Sequence, residues 1–282
     1  MNNNSYELKE LVVQESEVTL NPSGDIVDNR IIDGEIVNPR YNNQGLISLS
    51  DLIDEFSPFP RQSCILGLCE DGLPLMLDLA DPRTSSILIL SENKSWLRNL
   101  IKFLLTSLIE FNQPSEVRFA MISPDRFGWE FEARSPHCLV NYSPYQREAS
   151  ELVMNLCGIV EQRKSGRQLG PAVIMIIEDL SYTASSSLDK DISIHFRWLI
   201  EEGPNANVYT LASLSSVDIN SIPERILSCF SRKIIGLDNS IFRLHESTSR
   251  SISSRKYPIT FPQFGYKTAS QFIKFIVPTI VG

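Results

Sequence analysis

From residue 86 onward, short runs that are apolar throughout alternate with longer helical patterns, and this alternation narrows the fold class more than any other feature. Ser86-Ile87-Leu88-Ile89-Leu90 leads to an apolar helix pattern over 96–111. Residues 117–122 lead to a helix over 148–163, 172–177 to one over 191–202, and 208–211 to a short helix over 223–230, with a strand over 233–236 after it. Strands without polar alternation are buried on both faces, as a parallel sheet covered by crossover helices requires. The expected architecture is α/β, with a mostly parallel central sheet and helices on both faces. Before it, two apolar runs (63–69 and 73–79) flank Glu70-Asp71-Gly72 and predict a β-hairpin. Residues 46–56 predict a short helix with Ser50 as N-cap, and the Pro278-containing run 270–281 predicts an edge or terminal strand.

The 282 residues have room for one such core and an appended segment. The first 58 residues read as an acidic linker or docking arm, partly disordered, and residues 59–282 as the α/β body. Up to residue 60, three basic side chains stand against eleven acids. Over 220–282 the balance reverses, with nine basic side chains against three acids, although the whole chain carries −8. The basic set includes Arg225, Arg232, Lys233, Arg243, Arg250, Arg255 and Lys256, a candidate surface for DNA or an acidic partner. The start Met1-Asn2-Asn3-Asn4-Ser5 lacks the features of a signal peptide, and no apolar run reaches the roughly 18 residues of a membrane span. A cytoplasmic protein without membrane insertion is expected, associated with a membrane only through a partner. The five cysteines form no C-x-x-C pair and read as buried thiols; the three histidines have no motif around them, and no metal is expected.

Between the strand at 86–90 and the helix at 96–111, a phosphate-binding loop would read G-x-x-x-x-G-K-[ST]. Its glycines let backbone amides approach phosphate oxygens, its lysine neutralises them, and its hydroxyl holds Mg²⁺. The stretch here is Ser91-Glu92-Asn93-Lys94-Ser95-Trp96-Leu97-Arg98. Ser91 and Trp96 replace the glycines, Leu97 the lysine and Arg98 the hydroxyl residue. Lys94 and Arg98 are cations near a helix start, an alternative route to an anion. Trp96, Phe103 and Phe111 read as core or interface aromatics, and filling a vacated nucleotide pocket is the alternative for Trp96. The strand at 172–177 ends in Glu178-Asp179, where an ATPase carries Asp then Glu to organise Mg²⁺ and orient water. A displacement near 1 Å costs on the order of 10²-fold in rate. Acids at a strand end also serve simply as solvated groups or turn caps.

Several stretches resemble the motor domain of the FtsK/SpoIIIE translocases within the FtsK–HerA group of ATPases. They are Leu66-Gly67, Asp71-Gly72-Leu73-Pro74, Asp78-Leu79, Pro114-Ser115-Glu116-Val117-Arg118-Phe119, Pro136-His137, Leu211-Ala212-Ser213 and Val217-Asp218. The resemblance covers about residues 66–238 and implies a RecA-like P-loop NTPase fold. Where the family has Gln-Arg-Pro to sense nucleotide, this chain has Leu214-Ser215. With three nucleotide-facing places altered, the resemblance implies no working catalytic residue and no cofactor, neither ATP nor Mg²⁺. It implies a pseudo-ATPase that regulates, scaffolds or adapts an active FtsK-type translocase or secretion motor, in a ring with that ATPase or with itself. Type VII secretion ATPases, some of whose FtsK-like domains are degenerate, offer a similar arrangement. The alternatives are a DNA-binding accessory factor using the basic C-terminal region, and an NTPase with an unconventional site built from Lys94 or Arg98 with Glu178 and Asp179.

Overall fold

A computed structural model describes residues 19–20, 26–27, 30–32, 35–37, 48–186, 190–237, 261–267 and 272–280. The chain divides into two compact units, Met1–Gly45 and Leu46–Gly282. In the first, Thr19–Leu20 (β1) pairs antiparallel with Ile26–Val27 (β2), and Arg30–Ile32 (β3) with Glu35–Val37 (β4).

The second unit opens with Leu49–Phe56 (α1). Its N-cap is Ser48, two residues before the Ser50 expected from the sequence. The Ser48 hydroxyl accepts from Asp51 N, and the Asp51 carboxylate accepts from Ser48 N at 2.8 Å, a reciprocal box that Ser50 has no acid in register to form. Leu49 and Leu52 of α1 are buried in the main core, so the compact unit takes in this helix ahead of the expected boundary at 59.

The hairpin follows as Ser63–Cys69 (β5) and Pro74–Asp78 (β6), then Ile87–Ser91 (β7) and Lys94–Phe111 (α2). Next come Val117–Ile122 (β8), a 3-10 turn Arg126–Trp129, Glu130–Arg134 (α3) and Cys138–Tyr142 (β9). Arg147–Lys164 (α4), Ala172–Ile177 (β10), Leu180–Ser186 (α5), Lys190–Glu202 (α6) and Val208–Ser215 (β11) continue the alternation. Glu224–Leu227 (α7), Arg232–Gly236 (β12), Gln263–Lys267 (β13) and Phe272–Ile276 (β14) complete it.

Ten strands form one sheet in the order β6-β5-β14-β13-β12-β7-β11-β10-β8-β9. The six from β12 to β9 are parallel, and β13, β14, β5 and β6 add antiparallel pairs on the far side. Strand β14 is the terminal strand of the two alternatives its proline suggested, and not an edge strand, since it lies between β13 and β5. Pro278 lies beyond the strand's last residue, so its missing N–H costs no ladder bond.

Side chains alternate across a strand, and each face of the sheet meets its own helices. Ile87, Ile89, Phe119, Met121, Ile174, Ile176 and Leu211 face the core that holds α1 and α2. Leu88, Leu90, Ala120, Ile122, Val173, Met175 and Ala212 face the core built with α4 and α6. Helices thus cover both faces, as expected. No described helix is long and apolar enough to cross a membrane.

Candidate functional site

The carboxyl ends of β7, β11, β10 and β8 lie side by side, with Ser91 opposite Ser215, and with Ile177 opposite both Ala212 and Ile122. In open α/β sheets this edge is where ligands bind. The segments leaving it hold Lys94, Trp96, Leu97, Arg98, Glu178 and Asp179.

Strand β7 ends at Ser91 and α2 begins at Lys94, so only Glu92 and Asn93 connect them. The helix starts two residues earlier than its apolar pattern suggested, because Asn93 is a strong N-cap. Its Oδ1 accepts from Ser95 N at 3.0 Å and Trp96 N at 3.3 Å, and from the Ser95 hydroxyl at 2.7 Å. Two helix-end amides of the kind that face an anion are thereby bonded to the chain's own side chain. Ser91 is fully buried, and its Oγ accepts from Asn93 N at 3.1 Å.

The two cations of this turn reach the two acids that follow β10. Lys94 Nζ donates to Asp179 Oδ2 at 3.0 Å and lies 3.7 Å from Asp218. Arg98 Nε and Nη2 meet Glu178 Oε1 at 2.8 and 2.7 Å, and Nη2 also donates to Asp125 Oδ2 at 2.9 Å. The second oxygen of Glu178 accepts from the Trp129 indole N–H at 2.6 Å and from the Ser123 hydroxyl. Asp179 Oδ1 accepts from Ser181 N and Oγ at 3.2 and 2.5 Å. Its backbone sits at φ +62°, in the left-handed region that aspartate tolerates better than most residues, and its N–H donates to the Ser213 hydroxyl.

The electrostatics follow the contacts. The hydrogen bond from Arg98 holds the Asp125 carboxyl below its usual range. The bond to Asp179 raises Lys94. Burial desolvates Arg98 and works to lower its value, but Glu178 and Asp125 together outweigh this and raise it. Both cations are thus engaged by carboxylates within the site, which sets Lys94 and Arg98 against the four acids Asp125, Glu178, Asp179 and Asp218.

The sequence-singled residues divide sharply. Lys94, Arg98, Glu178 and Asp179 converge. Trp96 does not fill the site: its ring packs against Phe264 at 6.1 Å, on the face held by α1 and α2. The reason is helical phase, since Leu97 and Leu100 are buried in that same core and draw the first turn of α2 toward it. Leu97 and Leu214 are buried apolar residues in separate cores. Arg225 is exposed in α7, and Arg232 and Lys233 are half-buried at the amino end of β12, the end opposite the site. Arg243, Arg250, Arg255 and Lys256 lie outside the described residues. Asn93, Ser123, Asp125 and Trp129 belong to the site and were not singled out. Asn93 has an N-cap signal, but nothing local ties Trp129 to an acid 49 positions away.

Among the described residues, no group of histidines, cysteines and acids is arranged to hold a metal. Cys64 is wholly buried, and burial pushes its thiol up to about 12. His137 is buried and Nδ1 donates to the Val117 carbonyl at 2.8 Å, a structural role. One cavity is lined by Leu77, Leu79 and Tyr209, toward the amino ends of β7 and β11, and another by Leu68, Leu237, Gln263 and Lys274.

Solved structures place the architecture. The cytoplasmic domain of EssC superposes with a TM-score of 0.61 at 13% identity, over 87% of this chain and 49% of that one. Thermomonospora curvata EccC, ATPases 2 and 3 with a signal sequence peptide, gives 0.58 at 16% identity over 83% and 43%. The pCW3 conjugation coupling protein TcpA, in its monomer form with ATPγS, gives 0.58 at 16% identity over 94% and 77%. The fold is the RecA-like P-loop ATPase fold that these structures share. This chain spans less than half of the EccC and EssC chains it matches. No protein-family profile matches the sequence, and no curated protein does either.

Proposed function

We propose that the chain is a non-catalytic FtsK-like subunit, a pseudo-ATPase that regulates, scaffolds or adapts an active FtsK-type translocase or secretion motor. One observation carries this reading: Lys94 and Arg98 are bonded to Asp179 and Glu178, the acids an ATPase keeps for Mg²⁺ and water. A triphosphate would have to displace both pairs and the Asn93 cap, and the two-residue connection offers few free amides in return. The cation set an unconventional NTPase would use is the same set engaged by those acids. The solved structures that share the fold include a secretion ATPase and a conjugation coupling protein, which supports a motor-associated role. In this reading the protein works in the cytoplasm, reaches a membrane only through its partner, and uses the acidic stretch ahead of the compact unit as a docking arm.

Thermal unfolding with and without Mg-ATP tests the nucleotide half. Ligand at about 100 times Kd stabilises by roughly 2.7 kcal/mol, which raises the midpoint by about 5 °C or more. The expected result is no shift and no phosphate release. The partner half is tested by adding the chain to an FtsK-type ATPase from the same cell: a change in turnover is expected, and an unaltered rate without co-purification overturns it.

A further inference from the structure

Trp129 heads the fully buried side chains by volume, yet the other large apolar residues of its segment face solvent. Phe127 is 85% exposed and Phe131 is 71% exposed. The segment consists of one 3-10 turn and the five-residue α3, too short to hold its shape unaided. Something outside it must fix which aromatic goes in and which two stay out.

The contacts that do so converge on one side chain. The indole N–H of Trp129 donates to Glu178 Oε2 at 2.6 Å, and the Ser123 hydroxyl donates to the same oxygen. Arg98 holds the other oxygen of Glu178 and lies 5.6 Å from the Trp129 ring centroid, with Lys102 at 5.5 Å. Arg98 also binds Asp125, whose Oδ1 accepts from Gly128 N at 3.2 Å. The backbone packs directly against this cluster: a Cβ on Gly128 would lie 2.8 Å from Asp125 Oδ2 and 3.0 Å from Arg98 Nη1.

We propose that Glu178 is the positioning residue of segment 126–134. It holds Trp129 in the core and thereby fixes Phe127 and Phe131 at the surface beside the carboxyl edge of the sheet. The glutamate has the length to bridge Arg98 on one oxygen and Trp129 on the other; an aspartate, one methylene shorter, falls short of the indole. The Glu-then-Asp order at 178–179 is then a requirement of this clasp. The inference is independent of whether the chain binds nucleotide.

Limited chymotrypsin digestion of the full chain, read by mass spectrometry, tests it. Phe127 and Phe131 are exposed cleavage sites whose rate reports how firmly the segment is held. Glu178→Asp and, separately, Trp129→Phe are expected to raise cleavage after these two residues at least tenfold, while cleavage after the exposed Tyr145 stays constant. Glu178→Gln keeps the length but has one acceptor oxygen for two sets of donors, and is expected to raise cleavage less than Glu178→Asp. In a Trp96→Phe, Trp198→Phe background, where Trp129 is the one indole left, Glu178→Asp is expected to shift its emission to the red. Wild-type cleavage and emission in Glu178→Asp would overturn the proposal. A rise in cleavage that is equal at Tyr145 would also overturn it, since the effect would then be general destabilisation.

Discussion

Lys94 Nζ and Asp179 Oδ2 lie 3.0 Å apart, so the first turn of α2 is tied to the residue that ends the β10 connection. The pair spans a strand, since β11 lies between β7 and β10. Its partners differ in exposure: the Lys94 side chain is 58% exposed and Asp179 is 12% exposed. An ion pair this open to water is worth at most about 1 kcal/mol. Lys94→Met is therefore expected to lower the thermal midpoint by no more than about 4 °C. A much larger fall in differential scanning calorimetry would mean that the pair holds the connection itself in place.

Arg98 is the more heavily committed cation. It is 32% exposed, holds two acids, and one of them is the 12%-exposed Glu178. Removing one partner of a pair largely withdrawn from water leaves the other uncompensated, and Arg98→Leu is expected to cost about 2–3 kcal/mol in urea unfolding. In the Arg98→Leu, Glu178→Gln double variant the orphaned charge is gone. The two single losses should then exceed the double loss by about 1 kcal/mol or more. Additive losses would show that the guanidinium contributes packing and not charge.

Acid should loosen the fold at the carboxylates that folding lowers, Asp51 and Asp125 among them, with Asp81 and Glu202. The Asp125 carboxyl is lowered first by its hydrogen bond from Arg98, and Asp51 first by its bonds to Ser48 in the α1 cap. A carboxyl that ionises lower when folded than when unfolded adds stability that is whole above its unfolded value, near pH 4, and lost as pH falls through the folded value. The urea midpoint is expected to hold from pH 7 to about 5 and to fall below pH 4. Asp51→Asn and Asp125→Asn should each flatten that fall, and a midpoint that drops as steeply in the double variant would assign it to other groups.

The sheet was legible in the sequence because its strands are apolar on both faces. The runs ending at Ile122 and Ile177 need no partner to be recognised. Strand β9 carries half-exposed residues at the sheet edge, and β13 holds only five residues with a glycine at its centre, so neither has a strong pattern. Within the site, Lys94, Arg98, Glu178 and Asp179 stood out as misfits to a phosphate-loop pattern. That they pair with one another is a tertiary fact, set by the register of β7, β11 and β10. Of the two readings of Trp96 the structure has the core one; its motif position alone could not decide, since it says nothing about which core the helix turns the ring toward.

Two glycines should respond oppositely to alanine. Gly67 lies on β5 where β14 crosses it, and a Cβ there would sit 2.2 Å from the Ile276 carbonyl oxygen and 2.5 Å from the Phe275 ring. The Phe275 ring is buried and stacked on Phe264, and the carbonyl belongs to a paired strand, so the strands must part. The expected cost of Gly67→Ala is about 3 kcal/mol, the upper end for overpacking, because the contact is with backbone. Gly158 lies within α4, and a Cβ there meets nothing within 4 Å. Gly158→Ala removes unfolded-chain freedom without strain and should stabilise by about 0.5–1 kcal/mol. Urea unfolding of both variants measures the difference. A neutral Gly67→Ala would mean that β14 is not paired with β5 there, and the internal placement of the last strand would fail with it.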